Sequence, residues 1–445
     1  MNKRHGALWF LLGLGGQLQI VASLSISEAV ILLIAPLLYF RVQRMMKRDG
    51  VSTFFNISLM TLVGCVISCI YNQTQFDFAL RGVAAISIMP CTIIVSYWFL
   101  RTQPNGFKWY LLGDAFSMII CTFIFQKANE LGALAHGAQG LSAVSSIMSG
   151  PLFWAGRFGP FMMLPTKGWY LNVPMLYGFV ASSIMIVISL LASESGRSAA
   201  LGYSGFLILL FWGGKKMSSI KRVTRHSILL FVMAIIGVFA ANFAYHSLAT
   251  SGLLGEKALV KYERQTQGSK SIMRLLIGGR AESFVGLFAC FDRPLIGWGP
   301  WAIDTQGFTE EFIRKYGTAA DYEQMLRSRV LARRQGYEIR GLIPCHSYIT
   351  SFWCWYGVMG LILWLYAIFA ILRYLLKDSW RIPQWYAWLA CWIPVMLWKI
   401  AFSPYSDRIG TPLFIVACLM ARAVRKGSFR LPLEMIAEIE RVERK

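Results

Sequence analysis

Apolar runs of roughly 16 to 25 residues, punctuated by charges, recur along most of this chain, and an α-helix needs about 20 such residues to cross ~30 Å of hydrocarbon. Inside a bilayer every backbone N–H and C=O has to find its partner within the protein, so runs of this length specify membrane helices. A transmembrane β-barrel would show ~10-residue alternating segments instead, and the sequence has none. The 445 residues are 56% hydrophobic and only 15% charged, outside the balance of water-soluble domains. The expected fold class is an all-α polytopic membrane protein.

The net charge of +22 has the same explanation. Much of it sits in short loops and ends, where lysine and arginine collect on the cytoplasmic side. No basic segment is interleaved with aromatics in a recognisable module, so no nucleic acid is expected as a partner. The clearest topology marker is the stretch after Gly213, which carries Lys215, Lys216, Lys221, Arg222 and Arg225 without an acid.

Spans are expected near 6–22, 26–40, 51–70, 79–100, 108–126, 173–193, 198–213, 226–250, 346–372, 384–402 and 409–424. The basic N-terminus, Met1 to His5, precedes the first run as it would in a signal peptide. It lacks a small-residue cleavage site, so a retained helix is expected. Parity then demands one more crossing, and only 139–165, interrupted by Pro151, Arg157 and Pro160, is left to supply it. The expected organisation is about twelve transmembrane helices. Residues 1–250 form an N-terminal bundle, 251–345 a large, partly helical outer loop, 346–424 three further spans, and 425–445 a cytoplasmic amphipathic tail. Within the outer loop, Lys270 to Phe291 reads as helical and Arg293 to Pro300 as a Pro/Gly-rich turn. The cluster Arg327 to Arg340 does not offend the positive-inside rule, because loops longer than ~60 residues translocate largely regardless of charge.

Nine cysteines, most of them inside apolar runs and none in a CxxC pair, read as packing residues. Cys345 beside His346 lacks further ligands at set spacing, so no metal is expected.

Ionisable residues at the outer membrane face are the candidates for chemistry. Arg197, in Ser195-Gly196-Arg197-Ser198, has a guanidinium suited to gripping phosphate oxygens in bidentate fashion; equally, an interfacial arginine snorkels to lipid phosphates. Arg280 either binds phosphate or pairs with Glu282 or Asp292. His346 opens a span with Tyr348 close by. It is either a hydrogen-bonded structural residue or a general base, since an imidazole is part neutral at physiological pH. Asp407 and Arg408, in the short turn 403–410, read as a supporting pair. Asp114, within the fifth span, either has a functional role or bonds a neighbouring helix.

Taken in order, Ser-Gly-Arg-Ser-Ala-Ala-Leu at 195–201, Gly-Arg-Ala-Glu-Ser-Phe at 279–284, Arg-Pro-Leu-Ile-Gly-Trp-Gly at 293–299, His-Ser-Tyr-Ile at 346–349 and Tyr-Gly-Val-Met-Gly-Leu at 356–361 resemble the O-antigen ligase family, across about 168–372. Ser347 stands where asparagine is common, Trp355 where an acid often precedes Tyr-Gly, and Phe284 where tryptophan is usual. The resemblance implies a C-type glycosyltransferase-like fold in the inner (cytoplasmic) membrane, with its active site facing the periplasm. It also implies an undecaprenyl-pyrophosphate-linked glycan as donor, lipid A-core or another glycan as acceptor, and no cofactor. By the same resemblance Arg197 and Arg280 hold the pyrophosphate and His346 activates the acceptor hydroxyl; Tyr348, within reach of His346, and Arg408, in the outer turn, are the further substrate-binding candidates by position. A polymerase of the same fold is the alternative. A transporter of lipid-linked glycan is the alternative from another class, although the notable charges cluster at one face rather than at the midplane.

Overall fold

The computed structural model describes residues 3–120, 281–316, 341–378 and 383–430, less a few isolated positions, and scattered residues between 247 and 263. Arg197, Arg280, the spans expected between 139 and 250, the basic loop after Gly213, the Arg327–Arg340 cluster and the C-terminal tail lie outside the described residues.

The described chain is mostly helical. In chain order it contains α1 (Lys3–Leu14), a small hairpin of β1 (Gln19–Val21) and β2 (Leu24–Ser25), then α2 (Ile26–Asp49), α3 (Ser52–Tyr71), α4 (Phe76–Thr102) and α5 (Phe107–Ile120). Beyond these lie α6 (Ala281–Asp292), α7 (Phe308–Tyr316), α8 (Tyr348–Tyr356), α9 (Val358–Arg373), α10 (Pro383–Phe402) and α11 (Gly410–Arg425). Among the described residues, α2, α3 and α4 are long and apolar enough to cross a membrane. Their outward faces carry Leu33, Leu37, Phe40, Ile70 and Phe76, each more than two-thirds exposed, a surface suited to lipid rather than water.

Local chemistry fixes the ends of α2. Ser25 accepts a hydrogen bond from the Glu28 N–H while Glu28 Oε2 accepts from the Ser25 N–H at 2.8 Å, a reciprocal capping box. Gly50, with φ 80°, closes the other end in the left-handed conformation. The hydroxyl of Ser27 donates to the Leu12 carbonyl at 2.5 Å, satisfying one of the carbonyls that the C-terminus of α1 leaves open. The first expected span, 6–22, is thus a 12-residue helix followed by a hairpin. α1 packs beside α5 through glycines: a Cβ on Gly13 would lie 2.0 Å from the Tyr110 carbonyl oxygen, and one on Gly113 2.0 Å from that of Phe10. Asp114 sits on this seam, its backbone nitrogen 2.6 Å from the same position on Gly13.

Short connections make α2, α3 and α4 antiparallel neighbours, so the described bundle has two distinct ends. One is basic. There the Asp49 carboxylate, fully buried, accepts from the Tyr97 hydroxyl at 2.7 Å and pairs with Arg101, whose guanidinium also lies over the Phe429 ring. Nearby, a π-helical turn (Tyr374–Asp378) brings buried Asp378 between Arg373 and Arg425. α11 lies in the middle of the bundle, buried from Thr411 to Ala421, as expected of a helix apolar on every face. In lipid such a helix gains little from the hydrophobic effect, and close packing and polar contacts hold it instead.

At the opposite end the expected single span 346–372 is two helices. α8 and α9 meet at Gly357, whose φ of 66° is open to glycine and strained for other residues. A Cβ there would sit 2.0 Å from the Leu295 carbonyl oxygen. Three residues on, a Cβ on Gly360 would lie 2.1 Å from the Phe352 carbonyl oxygen, so α9 folds back tightly on α8. Gly357→Ala should therefore lower stability by about 3 kcal/mol or more through overpacking and strain. Gly50→Ala, where a Cβ meets nothing within 4 Å, should cost only about 1 kcal/mol for its left-handed backbone. Thermal unfolding of the purified protein in detergent compares the two; equal losses would overturn the packing argument.

Candidate functional site

The end opposite the basic cluster collects the polar and aromatic residues. It is organised around the turn 293–300 and the α8–α9 junction. Trp298 N–H donates to the Cys354 carbonyl at 2.6 Å and Val358 N–H to that of Leu295 at 3.2 Å. A Cβ on Gly297, which has φ 77°, would fall 2.6 Å from the Cys354 carbonyl oxygen and 2.7 Å from the Gly357 nitrogen. The two glycines thus let two irregular backbones interlock.

The same turn is fastened to the helix hairpin α3–α4. Arg293 donates to the Asn72 side-chain oxygen at 2.5 Å, and the Asn72 amide donates to the Gly297 carbonyl at 3.1 Å. The Arg293 guanidinium also lies 3.8 Å from the centre of the Trp298 ring, a cation–π contact. Pro300 packs where Gly82 of α4 has no side chain. Asn72 was not singled out from the sequence: it is a polar residue just after an apolar span, and only the fold places it against Arg293.

A small second core, formed by Val285, Ala289, Cys290, Trp298, Phe308, Phe312, Ile343 and Cys354, supports this end. Asp304 caps α7 by accepting from the Gly307, Phe308 and Thr309 N–H groups. The segment 341–343 returns beside it through an Ile303–Leu342 bridge and delivers the chain to His346.

His346 lies half-buried, one residue before the N-cap of α8. The N-cap is Ser347, which accepts from the Thr350 N–H at 2.9 Å. Serine and asparagine are both strong N-cap residues, so the departure at 347 preserves the local structure. Trp355, the second such position, packs at a tilt against Trp301 with ring centres 4.8 Å apart. Phe284, the third, packs on the small core.

Tyr348 is fully buried. Its ring lies 4.8 Å from Trp364 and 5.1 Å from Tyr405, and Phe352 closes the cluster at 4.9 Å from Tyr405. Such tilted and edge-on pairs fix ring orientation and with it the start of α8. The Tyr405 hydroxyl is buried and has no hydrogen-bond partner among the described residues. Burial pushes this phenol well above the usual tyrosine range; Tyr348 raises it further, Arg408 opposes the shift, and Asp407 and Glu28 add to it.

Asp407 and Arg408 point to different partners. Arg408 Nε lies 3.2 Å from Glu28 Oε1, both largely buried, while Asp407 pairs with Lys399 at 3.2 Å and accepts from the Gly410 N–H at 2.8 Å. Glu28 therefore serves twice, capping α2 and holding Arg408. The fold brings His346, Tyr348 and Arg408 to one end of the bundle. Among the described residues no group of three His, Cys, Asp or Glu side chains is arranged to hold a metal ion.

Compared with known proteins, the chain matches no family model, no curated sequence and no solved structure.

Removing Arg408 leaves a buried carboxylate without its cation, so Arg408→Ala should destabilise by about 3 kcal/mol or more. Pairing Arg408→Ala with Glu28→Gln should recover at least about 1 kcal/mol of that loss. Strictly additive losses in a thermal-unfolding double-mutant cycle would show that the two groups do not depend on each other.

Proposed function

We propose that this protein is a membrane glycosyltransferase of the O-antigen ligase type, which moves a glycan from undecaprenyl pyrophosphate to a hydroxyl of an acceptor such as lipid A-core. One observation carries the reading. The segments 293–300 and 346–360, which bear much of the sequence resemblance, are far apart in the chain yet interlock through Gly297 and Gly357. Residues whose joint presence gave the resemblance thus share one neighbourhood, with His346 at its edge.

The orientation follows from charge. Lys47, Arg48, Arg101, Arg373, Arg422 and Arg425 end their helices at one side, and positive residues stay cytoplasmic. The His346 end then faces the periplasm of an inner-membrane protein, with 251–345 a periplasmic loop and about twelve crossings in a C-type-like arrangement.

The chemistry needs little else. The anomeric carbon is already activated by its pyrophosphate, so the site must steady the departing charge, hold the acceptor oxygen in line and take its proton. Arg197 and Arg280 bind the pyrophosphate. His346 accepts the proton as the acceptor oxygen bonds to the anomeric carbon, and the bond from that carbon to the phosphate oxygen breaks. Undecaprenyl pyrophosphate leaves, and attack from the opposite face inverts the centre. Tyr348 belongs to the wall rather than the reaction: its ring holds the α8 start against Trp364 and Tyr405. Arg408, held on Glu28, adds positive potential beside the Tyr405 hydroxyl.

The test is transfer by purified protein in proteoliposomes, given undecaprenyl-pyrophosphate glycan and either lipid A-core or more donor. Product on lipid A-core is expected; longer lipid-linked chains instead would make the protein a polymerase. His346→Ala should lower transfer at least ~100-fold with donor binding retained, and undiminished turnover would remove the base role. Donor binding without any transfer would favour a transporter.

A further inference from the structure

Three elements bring their sulfurs together in the small core beneath His346. Cys290 comes from α6, Cys345 from the segment before α8, and Cys354 from the last turns of α8. Cys354 is the middle member: all three side chains pack in the same small core, and the Cys354 thiol interacts with those of Cys345 and Cys290. The Cys290 thiol also donates to the Thr350 carbonyl at 3.5 Å. Room for the Cys345 sulfur comes from Gly286, where a Cβ would lie 3.1 Å away.

We infer that Cys345 and Cys354 are joined by a disulfide in the native protein, tying the segment that carries His346 to the body of α8 and leaving Cys290 as a thiol. The inference rests on the periplasmic orientation of this end, because adjacent thiols are oxidised outside the cytoplasm and kept reduced within it. The choice of pair follows from the backbones. Cys290 and Cys354 are both fully buried on helices, which hold their Cβ atoms in place. Cys345 lies on an irregular, partly exposed segment that can adjust to the ~3.8 Å Cβ spacing a disulfide needs.

The oxidation is ordinary thiol–disulfide exchange. One cysteine thiolate attacks the disulfide of a dithiol-type oxidant, releasing one of its sulfurs as a thiol. The second cysteine thiolate then attacks the mixed disulfide and releases the other. Two protons leave the cysteines, and two electrons reduce the oxidant's disulfide to a dithiol. In the folded protein the contact with Cys354, and burial after it, hold the Cys345 thiol well above its usual range. A thiol so protonated attacks slowly, which places the exchange during folding, before the small core closes. Once closed, the same burial shields the bond from reduction.

The experiment uses the full-length protein in intact spheroplasts. Free thiols are blocked with one alkylating reagent under denaturing, non-reducing conditions, the protein is then reduced, and newly freed thiols take a second, with peptide mass spectrometry reading each cysteine. In parallel, Leu342→Cys and Arg48→Cys, both at exposed positions, report through a membrane-impermeant maleimide which end is outside. The expected result is an external 342 position with Cys345 and Cys354 carrying only the second label, and Cys345→Ser moving Cys354 to the first. An external 342 position with all three cysteines taking the first label, or a Cys290–Cys354 crosslink, overturns the inference and leaves the orientation standing. An external Arg48 position overturns both. A disulfide found in a protein that transfers no glycan supports the inference while the glycosyltransferase reading fails separately.

Discussion

The arrangement of this end of the protein depends on a contact between two pieces of backbone. Gly297 and Gly357 both have positive φ, and each would drive a Cβ into the other's segment. Their closeness lets Trp298 and Val358 hydrogen-bond across the junction, which matters because irregular backbone at a membrane boundary must be satisfied by protein. From this junction the positions of the neighbours follow. α8 stops short, α9 departs at a new angle, and the aromatic cluster of Tyr348, Phe352, Trp364 and Tyr405 fills the corner.

Around that junction, polar contacts take over the role that hydrophobic burial plays in a water-soluble protein. Asn72 links Arg293 to the Gly297 carbonyl, Glu28 links the cap of α2 to Arg408, and Asp49 links Tyr97 to Arg101. Each uses one side chain to join two elements. In lipid, where apolar faces have little preference for each other over acyl chains, such links and close glycine seams select one packing among many. The α1–α5 seam at Gly13 and Gly113 is the same device on the other side of the bundle.

Much of the scaffold was legible in the sequence because its signals are local. Run length and charge placed α3, α4, α10 and α11 close to where they lie and set the start of α2, but α2 runs on through its basic residues to Asp49 instead of ending at 40; the Pro/Gly turn at 293–300 and a helix ending near Phe291 are short-range features. Hydrophobicity did not reveal the break at Gly357, since α8 and α9 are both apolar and a glycine within a run is tolerated until another backbone needs its space. Nor did it show that the run 6–22 folds as a short helix and a hairpin. The pairing of Asp407 with Arg408 was suggested by adjacency; their actual partners, Lys399 and Glu28, are set by helices that meet only in the folded bundle.

The sequence by itself determined that this is a helical protein built for a membrane, because the length of an apolar run and the cost of an unpaired peptide group are properties of the chain alone. It also gathered the polar residues into short segments separated by long stretches of chain. Only the tertiary structure decided which of those segments touch, that Arg408 is held by Glu28, that Trp355 meets Trp301, and that Cys290, Cys345 and Cys354 share one small core. Those facts depend on distances between residues tens to hundreds of positions apart, and such distances are fixed by packing rather than by any local pattern.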